Sequence, residues 1–426
     1  MKIVRIAAVG AAAALALTAC SSGDDSSAED TSSSASGDIR VWLVGTDTPQ
    51  TARDYLKTTF EEENPGSTLT IEEQSWTGLV DKYTTSLSGS DSPDLVEIGN
   101  TQASAFTSAG AFLDLTDKYE ELGGDDLLPG FVEAGTYDGK FYAAPYYSGA
   151  RIVTYSSQIT GDTAAPTTWD EFLTNVESLT TDTVSGLYTP GKDWRDFLPF
   201  VWVNGGEIAT QADDGTWEAG FSSDESLAGL EQLQQVMLNS NHAPADSDES
   251  DLQVPFCEGS IAYLMAPSWV KGSISAAEDA DTPGCASTYG SADSLSAFAL
   301  PGETDGSYAP VLAGGSNIAI PAKSQHQDLA YSALQIVLSD GYQQLLADGG
   351  LVPAKVSQAS FLPDDVFSQA AANAAANAKQ TPNSPKWADV EASGILEDSF
   401  TKIAQGDDVA TVAAALDASI NSTLNG

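Results

Sequence analysis

Positive charge is scarce in this sequence. Its 426 residues include 17 Lys and Arg against 61 Asp and Glu, a net charge of −44. Nucleic acid is excluded as a partner, because its binding needs clustered cations that displace phosphate counterions. The same field repels an anionic ligand over long range and suits a neutral or cationic one. Acidity also keeps an exported chain soluble, and that accounts for most of it. Histidine is nearly missing, with His242 and His326 alone and neither near a cysteine in sequence. A metal centre is therefore not expected, and no cofactor is. There is no Gly-x-Ser-x-Gly elbow and no nucleophile motif around either histidine. With 61 carboxylates, some Asp/Glu pairs arise by number alone, so they do not argue for a glycosidase. Internal repeats are absent as well.

An apolar run long enough to cross a bilayer is also wanting at the start of the chain. Lys2 and Arg5 precede the apolar stretch Ile6 to Leu17, which falls short of the roughly 20 residues a span requires. A basic start, a short apolar centre and small residues at its end form a secretory leader, expected over residues 1–19. Its last residues, Leu17-Thr18-Ala19-Cys20, resemble the lipobox of bacterial lipoproteins. In those proteins the cysteine takes a diacylglyceryl group and becomes the mature N-terminus. That resemblance implies lipidation at Cys20, and two acyl chains hold a protein stably to a membrane. The expected location is the outer face of a bacterial cell membrane. Loss of Lys2 and Arg5 with the leader takes the net charge from −44 to −46. Ser21 to Asp38 holds only small, polar and acidic residues. It cannot bury enough surface to offset chain entropy and reads as a disordered leash.

Three cysteines are present in all. With Cys20 assigned to lipid, Cys257 and Cys285 remain as an even pair. In an oxidising compartment such a pair is expected to form a disulfide, two unpaired buried thiols being the alternative.

Residues 39–426 are ample for a core and for two domains. Their apolar pattern alternates between strand and helix periods. Ile39, Val41 and Leu43 alternate as in a strand; Ala52, Tyr55, Leu56 and Phe60 share a helical face. Leu69 and Ile71 begin a second strand, Leu79 to Leu87 a second helix, and Asp94 to Gly99 a third strand. Thr168 with Glu171 forms a capping-box pattern ahead of Phe172 and Val176. Helices are expected over 226–238 and 329–346, and strands over 261–265, 296–300 and 316–320. The alternation implies an α/β fold with a mainly parallel sheet and helices on both faces. The acidic run Asp246 to Asp251 lacks the glycine and distal glutamate of a calcium loop.

Several stretches, in order, resemble the extracellular solute-binding proteins of carbohydrate ABC importers, the family that includes maltose-binding protein. They are SPDLVEIG (92–99), TYDGKFYAAPYYSGARIVTYSSQI (136–159), GSIAYLMAPSWVKG (259–272), LAGGSNIAIPAKS (312–324) and the helical end from Pro385 to Asp417. One departure is Tyr155-Ser156-Ser157, where the family has Tyr-Asn-Lys. The resemblance spans residues 39–426 and implies a two-lobe periplasmic-binding-protein-like fold with three interlobe crossings. Those crossings are expected near Tyr146 to Ala150, Val311 to Gly315 and Val352 to Lys355. The first lobe would then hold 39–147 and 313–353, the second 148–312 and 354–426. The implied partners are an oligosaccharide and the membrane permease of an importer, served by a monomeric receptor.

A neutral sugar offers hydroxyls and flat C–H faces, so its site needs aromatic platforms with short polar side chains and carboxylates. Trp269 follows the apolar run Ile261 to Met265 at its C-terminal end, where open α/β sheets place ligands, and both it and Trp387 match ligand tryptophans of the family. Trp194, with Asp193 or Arg195 beside it in GKDWRDF, and Trp76 after the second strand are further platforms. Trp42 and Trp169 read as core and Trp217 as a surface turn; Trp202 fits either. Among polar positions, Asp47 lies just beyond the first strand, where the family commonly contacts ligand, and Asn100 and Gln102 follow the third strand in the same way. Tyr146, Tyr147 and Arg151 lie at the first crossing; Gly315, Ser316 and Asn317 lie at the second. A competing solute is a polyamine, which would suit the acidity.

Overall fold

The computed structural model describes residues 36–280 and 283–426. The leader, Cys20 and most of the expected leash lie outside these residues. The first strand, Asp38–Val44, opens on the last residue of the expected leash, Asp38 pairing with Thr68. Among the described residues no helix is long and apolar enough to cross a membrane.

Helix starts follow from local chemistry. Thr168, Ser223, Ser339, Asp365 and Asp408 each turn a side-chain oxygen to a backbone N–H three residues on, satisfying a donor the helix leaves orphaned. At Thr168 the expected box closes one residue early, because the Glu171 carboxylate accepts from the Thr167 N–H at 2.9 Å. Ser339 also explains a departure from the expected single helix over 329–346. Two helices form instead, Gln327–Val337 and Asp340–Asp348, the second capped by Ser339.

Nine strands among the described residues join one sheet. Asp38–Val44 lies parallel to both Thr68–Gln74 and Leu95–Gly99. At the other end Ile261–Pro267 lies parallel to Ser185–Tyr188. The two ends are joined by Ala143–Ser156, a 14-residue strand buried along nearly its whole length. Its first part pairs antiparallel with Ala313–Ala319 and Val352–Pro353. Its second part, from Arg151, pairs antiparallel with Ile261–Pro267 and Leu295–Phe298. The expectation of a mainly parallel sheet is thus corrected to a mixed one. Strand–helix–strand units run parallel within each half, whereas the strands that return between halves must come back in the opposite sense.

The buried apolar side chains divide in the same way. One cluster draws on residues 150–312 and 367–424, around Trp169, Phe172, Phe197, Tyr263 and Phe400. Two others draw on 39–147 and 318–354, around Leu56, Phe60, Tyr146 and Tyr342, and around Trp42, Tyr83 and Phe106. In the first of these halves Cys257 and Cys285 bring their sulfurs to bonding distance, 2.10 Å, with Cα atoms 5.4 Å apart. Trp42 and Trp169 are core, as their contexts imply; Trp202 is buried as well, with Lys379 over its ring.

Candidate functional site

The C-terminal ends of the three parallel strands of one half open on a cavity of about 730 Å³. Asp47 follows the first strand, Trp76 the second, and Asn100, Thr101 and Gln102 begin the helix after the third. The floor is the crossing itself, with Tyr147, Gly149 and Arg151 on the long strand and Gly315 and Ser316 on its antiparallel partner. The facing wall comes from the other half, with Arg195, Glu249, Asp251, Trp269 and Glu391.

Of the residues read from the sequence, Asp47, Trp76, Asn100, Gln102, Tyr147, Arg151, Trp269, Gly315 and Ser316 line this cavity. Tyr146, Asp193, Trp194, Asn317 and Trp387 do not, and each has a physical reason. Neighbours on a strand face opposite ways. While Tyr147 meets the cavity, Tyr146 points into the core and hydrogen-bonds the hydroxyls of Thr48 (2.7 Å) and Tyr342 (2.6 Å). Asn317, one past Ser316, donates to the backbone carbonyls of Phe131 (2.8 Å) and Ala143 (3.1 Å). Trp194 and Trp387 are both fully buried and meet edge to face, ring centres 6.4 Å apart.

Those buried residues act from behind the wall. Trp387 Nε1 donates to Glu391 Oε1 at 2.8 Å, and Glu391 Oε2 accepts from Thr101 across the cavity's edge at 3.1 Å. The Arg195 guanidinium lies 4.6 Å from the centre of the Trp194 ring, a cation–π contact that directs it to the cavity. Asp193 accepts from Arg151 Nη1 at 3.0 Å.

Two buried charge centres sit on opposite sides of the floor. Arg151 binds Asp193, Asp196 and, through Nη2 at 2.8 Å, Glu249. Burial works against its charge, but the three carboxylates outweigh burial and hold its pKa above the ordinary value. Burial raises the pKa of Asp196 and Asp193. Glu249 is also penalised by burial, but Arg151 and Arg195 bring it below the usual range. The acidic run 246–251, examined in sequence only as a calcium candidate, thus supplies Glu249 and Asp251 to the wall.

The second centre is Glu97, which the sequence reading passed over within SPDLVEIG. It is fully buried and accepts from Val44 N–H (2.8 Å), the Tyr147 hydroxyl (2.8 Å) and the Ser316 hydroxyl (2.7 Å). Desolvation pushes its pKa up to about 7 against those three hydrogen bonds. The single hydroxyl proton of Tyr147 goes to Glu97 in preference to Asp47, which stands at 3.4 Å. Burial raises Asp47 too, opposed by Trp76 and Tyr147.

Glu249, Asp251, Thr101 and Glu391 are among the wall residues that sequence reasoning did not select; Arg195 entered only as the alternative to Asp193 beside Trp194. Their signal is weak: Glu249 and Asp251 lie in a polar loop, Thr101 near a helix start and Glu391 near the end of the short helix Trp387–Ala392. Only the proximity of Arg195 to Trp194 stood out.

Chemically the wall combines two indoles, hydroxyls, amides and carboxylates, which suits a ligand rich in hydroxyls with flat apolar faces. The profile of the bacterial extracellular solute-binding protein family matches residues 45–344. A curated relative, the diacetylchitobiose binding protein DasA of Streptomyces coelicolor, is 32% identical over 401 residues, covering 92% of this chain and 91% of that protein. Among solved structures, the GacH receptor of Streptomyces glaucescens, solved unliganded and with acarbose, superposes with a TM-score of 0.78 at 18% identity, covering 92% of this chain and 99% of that one. The sugar-binding protein MalE of Xanthomonas citri gives 0.76 at 18% identity, over 91% and 97% of the two chains. These superpositions establish the two-lobe α/β fold of such receptors.

Proposed function

Because the chain belongs to the bacterial extracellular solute-binding protein family, we propose that it is a receptor that closes two lobes on a neutral oligosaccharide and delivers it to an ABC importer permease. The matched family and relative are binding proteins, not enzymes. The observation that carries the sugar reading is one cavity lined by both Trp76 and Trp269 and by hydroxyl, amide and carboxylate groups. Indoles take the C–H faces of a pyranose while the polar groups fix hydroxyl directions, and a buried polar wall rejects ligands that leave it unpaired. The relative's ligand makes N,N′-diacetylchitobiose the first sugar to test.

The lobes of this reading are 39–147 with 313–353 and 148–312 with 354–426; the division of the buried clusters supports them. Asp47, Trp76, Asn100, Gln102, Tyr147, Trp269 and Ser316 contact the ligand. Arg151 belongs to the floor, its charge already engaged by carboxylates. The receptor is a monomer tied to the outer face of the membrane through lipid on Cys20, with a Cys257–Cys285 disulfide formed on export.

Calorimetry with N,N′-diacetylchitobiose, malto-oligosaccharides and spermidine tests the ligand class. Saturable binding of a sugar is the expected result. A response to spermidine alone, in keeping with the acidic wall, overturns the carbohydrate reading. Mass spectrometry of cell-derived protein tests the lipid and the disulfide.

A further inference from the structure

Gly149 sits on the floor of the cavity, two residues before Arg151, where the long strand takes up its second set of pairing partners. Its backbone is outside the left-handed region, so an ordinary residue could adopt the same conformation. Space is what forbids a side chain. A Cβ added there would stand 2.1 Å from Trp269 Cζ3 and 2.6 Å from Cε3, far inside the ~3.5–4.0 Å of carbon–carbon contact. The six-membered ring of the indole fills the place where any other side chain would begin.

Other glycines in or beside the cavity have different explanations. Gly45, under Trp76, has φ +59°, and Gly315 has φ +136° with a Cβ position 2.3 Å from the Tyr147 carbonyl oxygen. At Gly99 a Cβ would make only ordinary contact with Trp76, at 3.4 Å. At Gly149 the three nearest atoms all belong to the Trp269 indole. Moreover Trp269 follows the strand Ile261–Pro267 of one half yet packs against a buried cluster of the other. Its seat is therefore where the halves meet.

We propose that Gly149 is a positioning residue for the solute site: by leaving the strand bare at the crossing, it seats the Trp269 indole in the cavity wall and sets the depth of that platform. This rests on the reading of Trp269 as a ligand platform. A methyl group at 149 displaces the ring toward the cavity, narrowing the space for a sugar and tilting the face it stacks on.

A double-mutant cycle of Gly149→Ala and Trp269→Ala tests it in the full chain. Near-UV circular dichroism of ligand-free protein reports the indole, and calorimetry with N,N′-diacetylchitobiose reports affinity. Gly149→Ala is expected to change the near-UV spectrum and to weaken binding about tenfold or more with Trp269 present. With Trp269→Ala it is expected to change neither, binding staying within about twofold. An unchanged spectrum, or the same spectral change without Trp269, overturns the proposal. Should the parent protein bind no oligosaccharide, the functional reading fails, while the spectral cycle still decides the seat. Should Gly149→Ala not fold, Gly149→Ala with Trp269→Leu is expected to fold, because the obstruction is gone; failure of that pair also overturns the proposal.

Discussion

Trp269 and Trp387 are alike in sequence, each matching a ligand tryptophan of the family, and unlike in place. Trp269 is half-buried in the cavity wall, on the bare strand at Gly149. Trp387 is fully buried one layer back, edge to face with Trp194, its N–H spent on Glu391. A similar contrast divides the charges. Asp47 and Glu249 are on the wall, whereas Glu97 and the Arg151–Asp193–Asp196 group hold it from behind or beneath. The wall is thin, and much of what orients it does not itself line the cavity. Residue type shows which side chains could bind a sugar; layer decides which of them reach the cavity.

That contrast is open to direct attack, most strongly at its rear layer. Arg151→Met strands Asp193 and Asp196 without their cation and should cost about 3–5 kcal/mol of stability by urea denaturation. Adding Asp193→Asn and Asp196→Asn should recover much of it; no recovery would mean that the arginine acts by packing alone. Trp387→Ala should cost a similar 3–5 kcal/mol through its cavity. A loss below about 1 kcal/mol would move Trp387 out of the core and onto the wall.

Glu97 gives a pH-dependent version. Its pKa of about 7 in the folded chain exceeds the ordinary carboxylate value of 4.5, so the folded state binds more protons between those limits. Stability should therefore fall as pH rises from about 5 to 7.5, by roughly 3 kcal/mol from this group. Glu97→Gln should remove that part of the slope, and identical slopes in the two proteins would contradict the burial argument. On the wall the balance reverses. Trp269→Ala should cost about 1 kcal/mol of stability but weaken sugar binding by tenfold or more, about 1.4 kcal/mol or above. Trp76, 40% exposed, should give a smaller loss, a few-fold by calorimetry.

Much of the site was legible because its grammar is local. Asp47, Trp76, Asn100 and Gln102 each follow a strand visible from alternation, and strand C-termini are where such sheets hold ligands. Trp269 was found by the same rule. What stayed hidden was phase and depth. Tyr146 and Tyr147 are adjacent and identical in type, and alternation says only that they face opposite ways. Glu97 looks like an ordinary strand residue until Tyr147 and Ser316, 50 and 219 positions away, converge on it. Glu391 and Arg195 take their places from Trp387 and Trp194, whose burial depends on packing between distant segments.

By itself the sequence determined the helix start at Thr168 and most of the strands, because those rest on neighbours within a few residues. Tertiary structure alone decided the antiparallel return at the crossing, the rear placement of Trp194 and Trp387, and the seat of Trp269 on Gly149. Each of these is set by groups far apart in the chain competing for one volume, and no local pattern records which of them wins it.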